Sequence, residues 1–292
     1  MKASTAGWIF AAPAITVIVV FFGLPVLAAF ALSLTDFDIY ALADLDNLRF
    51  VGLDNYFGLL QDPLFWKALG NTMYFVVVGV PLSIVVSLGA ALLLHSKLGE
   101  LKPFFRTAYF APVVTTVVAV AVIWRYLFHT RYGLVNWALS GLGVDPVDWL
   151  GDPTWAMPTI IAFAVWKNFG YNMIIFLAGL HAIPEDLYEA ARIDGASRTR
   201  QFRHITLPML GPVLLMVGIL TLAGYFQLFA EPYVMTQGGP LQSTVSVLYL
   251  MYEEGFKWWN LGNASAVAFL LFVLMTTITS ALLWFARRKG AE

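Results

Sequence analysis

The 292-residue chain is 60% hydrophobic and 12% charged, far more apolar than the roughly half-apolar, one-quarter-charged make-up of soluble domains. A formal net charge of −1 provides no general basic surface for nucleic acid, and the absence of cysteine excludes disulfides, thiolate metal sites and a cysteine nucleophile. Four histidines, His95, His129, His181 and His204, are too dispersed for a metal motif, and the whole balance is that of an integral membrane protein.

A helix crosses the hydrocarbon core with about 20 mostly apolar residues, and six runs qualify or nearly qualify. Residues 8–34 contain no Asp, Glu, Lys or Arg. Lys2 precedes this run as in a signal peptide, but the run exceeds the roughly 7 to 15 residues of a signal core, so it reads as a retained helix. The segment 35–67 follows; across 50–69, Phe57, Leu60, Leu64 and Leu69 recur at helix-like intervals and Pro63 can start a new turn. The second run, 68–96, is again free of charge; the third, 107–124, is uninterrupted and continues past Arg125. Asp145-Pro146 and Gly151-Asp152-Pro153 punctuate the segment 129–157. Only Lys167 breaks the fourth run, 153–184, and the fifth, 204–230, has no charge. After the turn signal Gly238-Gly239-Pro240 in segment 231–257, a sixth charge-free run occupies 258–286. The expectation is an all-α protein of six transmembrane helices, about 8–34, 70–96, 107–128, 157–180, 208–230 and 263–286, forming one membrane domain over 1–292.

Lys and Arg concentrate in short cytoplasmic loops. Lys2, Lys97, Lys102, Arg106, Arg192, Arg198, Arg200, Arg203, Arg287, Arg288 and Lys289 fall on one side of this topology, against Arg49, Lys67, Arg131 and Lys257 on the other. Both termini and the loop 181–207 are therefore expected in the cytoplasm, with Trp66, Trp137, Trp149, Trp155, Trp258 and Trp259 near the outer interface. There is no G-x-x-x-x-G-K-[ST] loop for nucleotide phosphates, no H-E-x-x-H zinc helix and no G-x-S-x-G elbow. An energy source must then lie on another polypeptide.

The loop 181–207 is a polar, helix-forming insert between two apolar runs. Pro184 suits a first helical position, Glu185 and Asp186 set negative charge at the positive end of the helix dipole, and Gly195 can supply a left-handed cap. A second helical stretch is expected from about Arg198 to Ile205. The run Tyr188-Glu189-Ala190-Ala191-Arg192-Ile193-Asp194-Gly195-Ala196, followed by Phe202, Ile205 and Leu207-Pro208, resembles the Glu-Ala-Ala loop of ABC importer membrane subunits. Phe50–Tyr56, Phe65–Thr72, Phe176–Leu180, Ile183-Pro184 and Thr236–Pro240 are similar to the carbohydrate branch, that of the maltose and glycerol-phosphate permeases, so the resemblance covers roughly residues 8–286.

That resemblance implies a permease subunit in the plasma (inner) membrane of a bacterium or archaeon, moving a sugar or related polyol by alternating access. It further implies a second homologous permease, two ATP-binding subunits carrying ATP and Mg, and an extracytoplasmic solute-binding protein, with no cofactor on this chain. Leu187, Glu189, Ala190, Ala191, Asp194, Gly195 and Ala196 would form the ATPase-coupling element: Leu187, Ala190 and Ala191 offer a compact face, and Glu189 can pair with a basic group on the partner. The plainer alternative is a charged connector that caps two helices.

The fourth run holds the cluster Trp166-Lys167-Asn168-Phe169-Gly170-Tyr171-Asn172. Polar groups inside an apolar span need partners. Asn168 and Asn172 share a helical face and could bond solute hydroxyls while Trp166 or Tyr171 covers the apolar face of a sugar ring; alternatively the amides tie helix to helix. Tyr225, Gln227 and Glu231 form a second set, and the resemblance centres the pathway on Gln227. Lys167 is either an anion counter-charge or a paired or snorkelling cation, and Arg125 reads as structural. The rival function is a stand-alone secondary transporter or channel for a small polar solute, in which Lys167 and Glu231 would serve ion coupling. Such carriers often carry inverted repeats, and no such symmetry is evident in the sequence.

Overall fold

A computed structural model describes residues 3–95 and 101–289. Lys2, Ser96 and Lys97, which entered the charge census and the end of the second run, lie outside the described residues. Along the chain the helices are α1 (Ala3–Ile18), α2 (Leu24–Ser33), α3 (Ile39–Ala43), α4 (Asp54–Gln61), α5 (Pro63–His95), α6 (Lys102–Val114), α7 (Val117–Leu127) and α8 (Leu134–Ser140). They continue as α9 (Pro153–His181), α10 (Glu185–Ile193), α11 (Arg198–Gln201), α12 (Leu207–Met209), α13 (Gly211–Phe226), α14 (Ala230–Met235), α15 (Val247–Tyr252) and α16 (Leu261–Lys289). Among the described residues the only β pairing is one isolated bridge, Thr35 to Phe50.

Among the described residues four helical stretches, Phe10–Ser33, Pro63–His95, Pro153–His181 and Leu261–Ala286, are each long and apolar enough to cross a membrane; two bent pairs bring the number to as many as six. The run expected at 107–128 is not one straight helix. It is α6 and α7, meeting at 100° across Thr115 and Thr116, which both take extended backbone. Hydropathy cannot register such a bend, because the residues on both sides are apolar. Pro112 stands in the last turn of α6, and Thr115 Oγ1 donates to its carbonyl at 2.6 Å, satisfying an acceptor that the broken helix leaves over. The run expected at 208–230 likewise begins at a 66° bend between Arg198–Met209 and Gly211–Phe226, where Pro208 and Pro212 each withhold a backbone donor.

The chain divides into two compact units. The first comprises residues 1–66 and 250–274. Here α1 runs into α2 through the π-helical turn Val19–Gly23, a wide turn placed just before Pro25. Phe21 and Phe22 are 70% and 66% exposed, an outward apolar surface suited to lipid and costly in water. Asn55 Nδ2 donates to the carbonyls of Ser33 and Thr35, and Tyr56 bonds Ser33 at 2.7 Å, fixing the chain where α2 ends.

The second unit, residues 67–249 and 275–292, is built on α9. Of its most apolar stretch 56% is buried, against 0% of the most apolar stretch within Phe10–Ser33. Gly170 lets α6 approach: a Cβ there would stand 2.2 Å from Tyr109 O. Ala91, Leu94, Met173, Phe176, Leu180, Leu210 and Val217 join α5, α9 and α13 in a continuous apolar core beneath α10.

Candidate functional site

A cavity of about 500 Å³ opens within the second unit. Its wall takes Ala164, Lys167, Asn168, Tyr171 and Asn172 from α9, and Leu220, Thr221, Gly224 and Tyr225 from α13. Gln227, Leu228, Phe229, Ala230 and Glu231 complete it from the segment between α13 and α14 and from the first turn of α14, with Val113, Val117, Phe75 and Leu248 as apolar neighbours. Residues 164, 168, 171 and 172 recur at helical spacing and so share one face. Two helix breaks frame the space, the α6–α7 bend and the non-helical stretch at Gln227 to Phe229.

Six of the seven sequence-expected pathway residues line this cavity: Asn168, Tyr171, Asn172, Tyr225, Gln227 and Glu231. Trp166 does not. It lies about 200° around α9 from Asn168, 37% exposed, with its ring 5.4 Å from Trp124, whereas Tyr171, 51% exposed, is on the cavity wall.

The two asparagines behave differently. Asn172 is 4% exposed, and its Nδ2 donates to Thr221 Oγ1 at 2.9 Å and Ser83 Oγ at 3.3 Å, tying α9 to α13 and α5. Asn168 is half-buried and donates only within its own helix, to Ala164 O at 3.0 Å. Tyr225 Oη lies beside Ser83 and Asn168 but makes no hydrogen bond within the described residues. Gln227 is exposed at the end of α13. Lys167 Nζ donates to Val113 O, 3.1 Å, at the broken end of α6. The sequence offered Lys167 as an anion counter-charge or as a paired or snorkelling cation; its ammonium pairs with a helix-end carbonyl. Ser83 and Thr221 were not foreseen, although a hydroxyl inside a charge-free run is the same signal that picked out the asparagines.

The second site is α10 and its cap. Pro184 precedes the helix, one position before the expected first turn. Gly195 takes φ +75°, Ala196 N donates to Ala191 O at 2.8 Å and Gly195 N to Arg192 O at 3.1 Å, a Schellman cap closed as the sequence suggested. Ser197 caps the next helix through Arg200 N, and helical backbone continues to Met209. Tyr188 turns inward, 2.9 Å from Thr206 Oγ1 and against the apolar core. Leu187, Glu189, Ala190, Asp194 and Gly195 are exposed; Ala191 and Ala196 are half-buried. Ile193, part of the quoted run but outside the expected coupling set, is 86% exposed beyond Leu187 and Ala190 at three-residue spacing. Arg192 meets Glu185 at 3.1 Å and Glu189 at 3.8 Å; pairs this exposed contribute little to stability.

An all-helical chain with an apolar exterior, a polar cavity between broken helices and an exposed, capped helix on a charged loop has the make-up of a membrane transport subunit. The chain belongs to the family of binding-protein-dependent transport system inner membrane components, matched over residues 3–290. It is 38% identical over 287 residues to the lactose transport system permease protein LacF of Rhizobium radiobacter, covering 97% of this chain and 94% of that one. Over 276 residues it is 38% identical to the trehalose/maltose transport system permease protein MalF of Thermococcus litoralis, covering 94% and 90%. Its fold is like that of a chain from a bacterial ABC transporter involved in the import of the acidic polysaccharide alginate, with TM-score 0.81 and 23% identity over 98% of both chains. Membership makes this protein a transport subunit of a larger system and decides against a stand-alone carrier.

Proposed function

We propose that this chain forms one half of the translocation pathway of an ATP-driven importer for a sugar or related polyol. The observation that carries the reading is the cavity wall, where the exposed Tyr171 and Gln227 stand with Asn168 and Glu231 among apolar neighbours such as Phe75, Val113, Val117 and Leu248. Amide and carboxylate groups bond hydroxyls, and an aromatic face covers the apolar side of a pyranose. Names of relatives that include lactose, trehalose/maltose and arabinooligosaccharides support the same solute class.

In this reading the chain crosses the plasma (inner) membrane six times, the bent pairs α6–α7 and α11–α13 each contributing one crossing, and both termini are cytoplasmic. α10 docks on one of two ATP-binding subunits, which hold ATP and Mg. A second, homologous permease closes the other side of the pathway, and an extracytoplasmic binding protein delivers solute. Closure of the ATPase pair moves α10, and Tyr188 passes that movement to the α5–α9–α13 core and on to the cavity.

The test is purification of the chain with its neighbours, followed by uptake in proteoliposomes against a sugar panel. ATP-dependent, binding-protein-dependent accumulation of one sugar class is expected. Gradient-driven uptake by the isolated chain, or ATP-driven uptake of a non-sugar solute alone, would overturn the proposal.

A further inference from the structure

Lys167 and Glu231 put one cation and one anion on the wall of the same cavity, from α9 and α14. Among the described residues no ion pair joins them. Lys167 donates to Val113 O at the α6–α7 bend, and Glu231 stands in the first turn of α14, just past the α13–α14 break. An ammonium has three donors, of which Val113 uses one, and a carboxylate has about four acceptor sites. The wall thus presents donor and acceptor capacity of opposite sign with no formal net charge.

We infer that Lys167 and Glu231 act together as a charge filter, admitting an uncharged polyhydroxyl solute and disfavouring an anionic sugar of the same size. This rests on the sugar reading above. A hydroxyl both donates and accepts, so a neutral sugar serves Glu231 and Lys167 at once. A carboxylate-bearing sugar is attracted by Lys167 and repelled by Glu231; the two effects largely cancel, and little Coulombic gain remains to offset the loss of its hydration. Removing one charge unbalances the site and changes the preference in a direction set by the charge that remains.

The experiment is equilibrium dialysis on the assembled, purified transporter without binding protein. The probes are neutral disaccharides (lactose, maltose and trehalose) and matched forms in which one primary alcohol is oxidised to carboxylate. Wild type should favour the neutral member. Glu231→Gln should shift the neutral-to-carboxylate ratio toward carboxylate by about tenfold, and Lys167→Gln should shift it by about tenfold the other way, as loss of one nearby charge in a partly dry site requires. The charge-keeping variants Glu231→Asp and Lys167→Arg should hold the wild-type ratio. Should Lys167→Gln fail to assemble, Glu231→Gln and Lys167→Arg decide the matter between them. Binding that persists with an unmoved ratio in Glu231→Gln overturns the filter and leaves the sugar reading standing. Wild-type binding of no disaccharide in either form overturns the filter for solutes of this size, and the sugar reading is then decided by the uptake panel.

Discussion

Asn172→Ala separates the two roles that a buried amide can play in this protein. The side chain is 4% exposed, lines the cavity and donates at 2.9 Å to Thr221 and 3.3 Å to Ser83. Interhelical hydrogen bonds within membranes average about 0.6 kcal/mol and reach about 1.7. The shorter bond to Thr221 belongs toward the upper figure and the longer one below the mean. With the packing lost when the amide goes, the substitution should destabilise the assembled complex by about 1–3 kcal/mol. A double-mutant cycle with Thr221→Val, read by denaturant unfolding of the purified complex, should give a coupling energy of about 0.5–1.5 kcal/mol. Gln227→Ala is the contrast: its amide is exposed to the cavity, so uptake should fall several-fold while the unfolding midpoint stays at the wild-type value. Coupling near zero for Asn172 and Thr221, with solute binding lost and stability kept, would refute the tie between α9 and α13 and make Asn172 a solute contact alone.

Glu189→Lys should leave the chain inserted yet abolish most uptake, since the reversed charge sits on the exposed face of α10; ATPase co-purification at the wild-type level together with wild-type uptake would contradict docking there. Gly195→Val forces a β-branched residue to φ +75°, costing about 1–2 kcal/mol in the cap, and should weaken ATPase association without lowering membrane insertion; protease nicking of the 181–207 loop checks it. Gly170→Ala puts a methyl 2.2 Å from Tyr109 O. It should push α6 from α9 and reduce the folded yield severely, whereas wild-type yield and melting would show that the two helices are not held at that approach. A reporter fused to the carboxyl terminus should be active only in the cytoplasm, as the cation asymmetry requires; activity only outside would remove the six-span topology.

Composition and spacing made several locally encoded features legible. Charge-free runs identified the apolar helices because the hydrocarbon core excludes unpaired charge wherever a helix lies. The cap at Gly195 was legible because a glycine after a short polar helix, with no Cβ to clash, is the residue that turns left-handed there at least cost. Asn168, Asn172 and Gln227 stood out as amides in apolar surroundings, and all three reach one cavity. What the sequence could not fix is which face of a helix meets which neighbour. Trp166 and Asn168 are two residues apart on α9, yet one packs on Trp124 and the other lines the cavity. The 100° bend between α6 and α7 was hidden for the same reason: apolar residues on both sides look continuous to hydropathy. Only packing decides where the backbone breaks, because a broken helix leaves carbonyls that must find donors, and here Thr115 supplies one locally while Lys167 supplies another from 54 residues away in the chain.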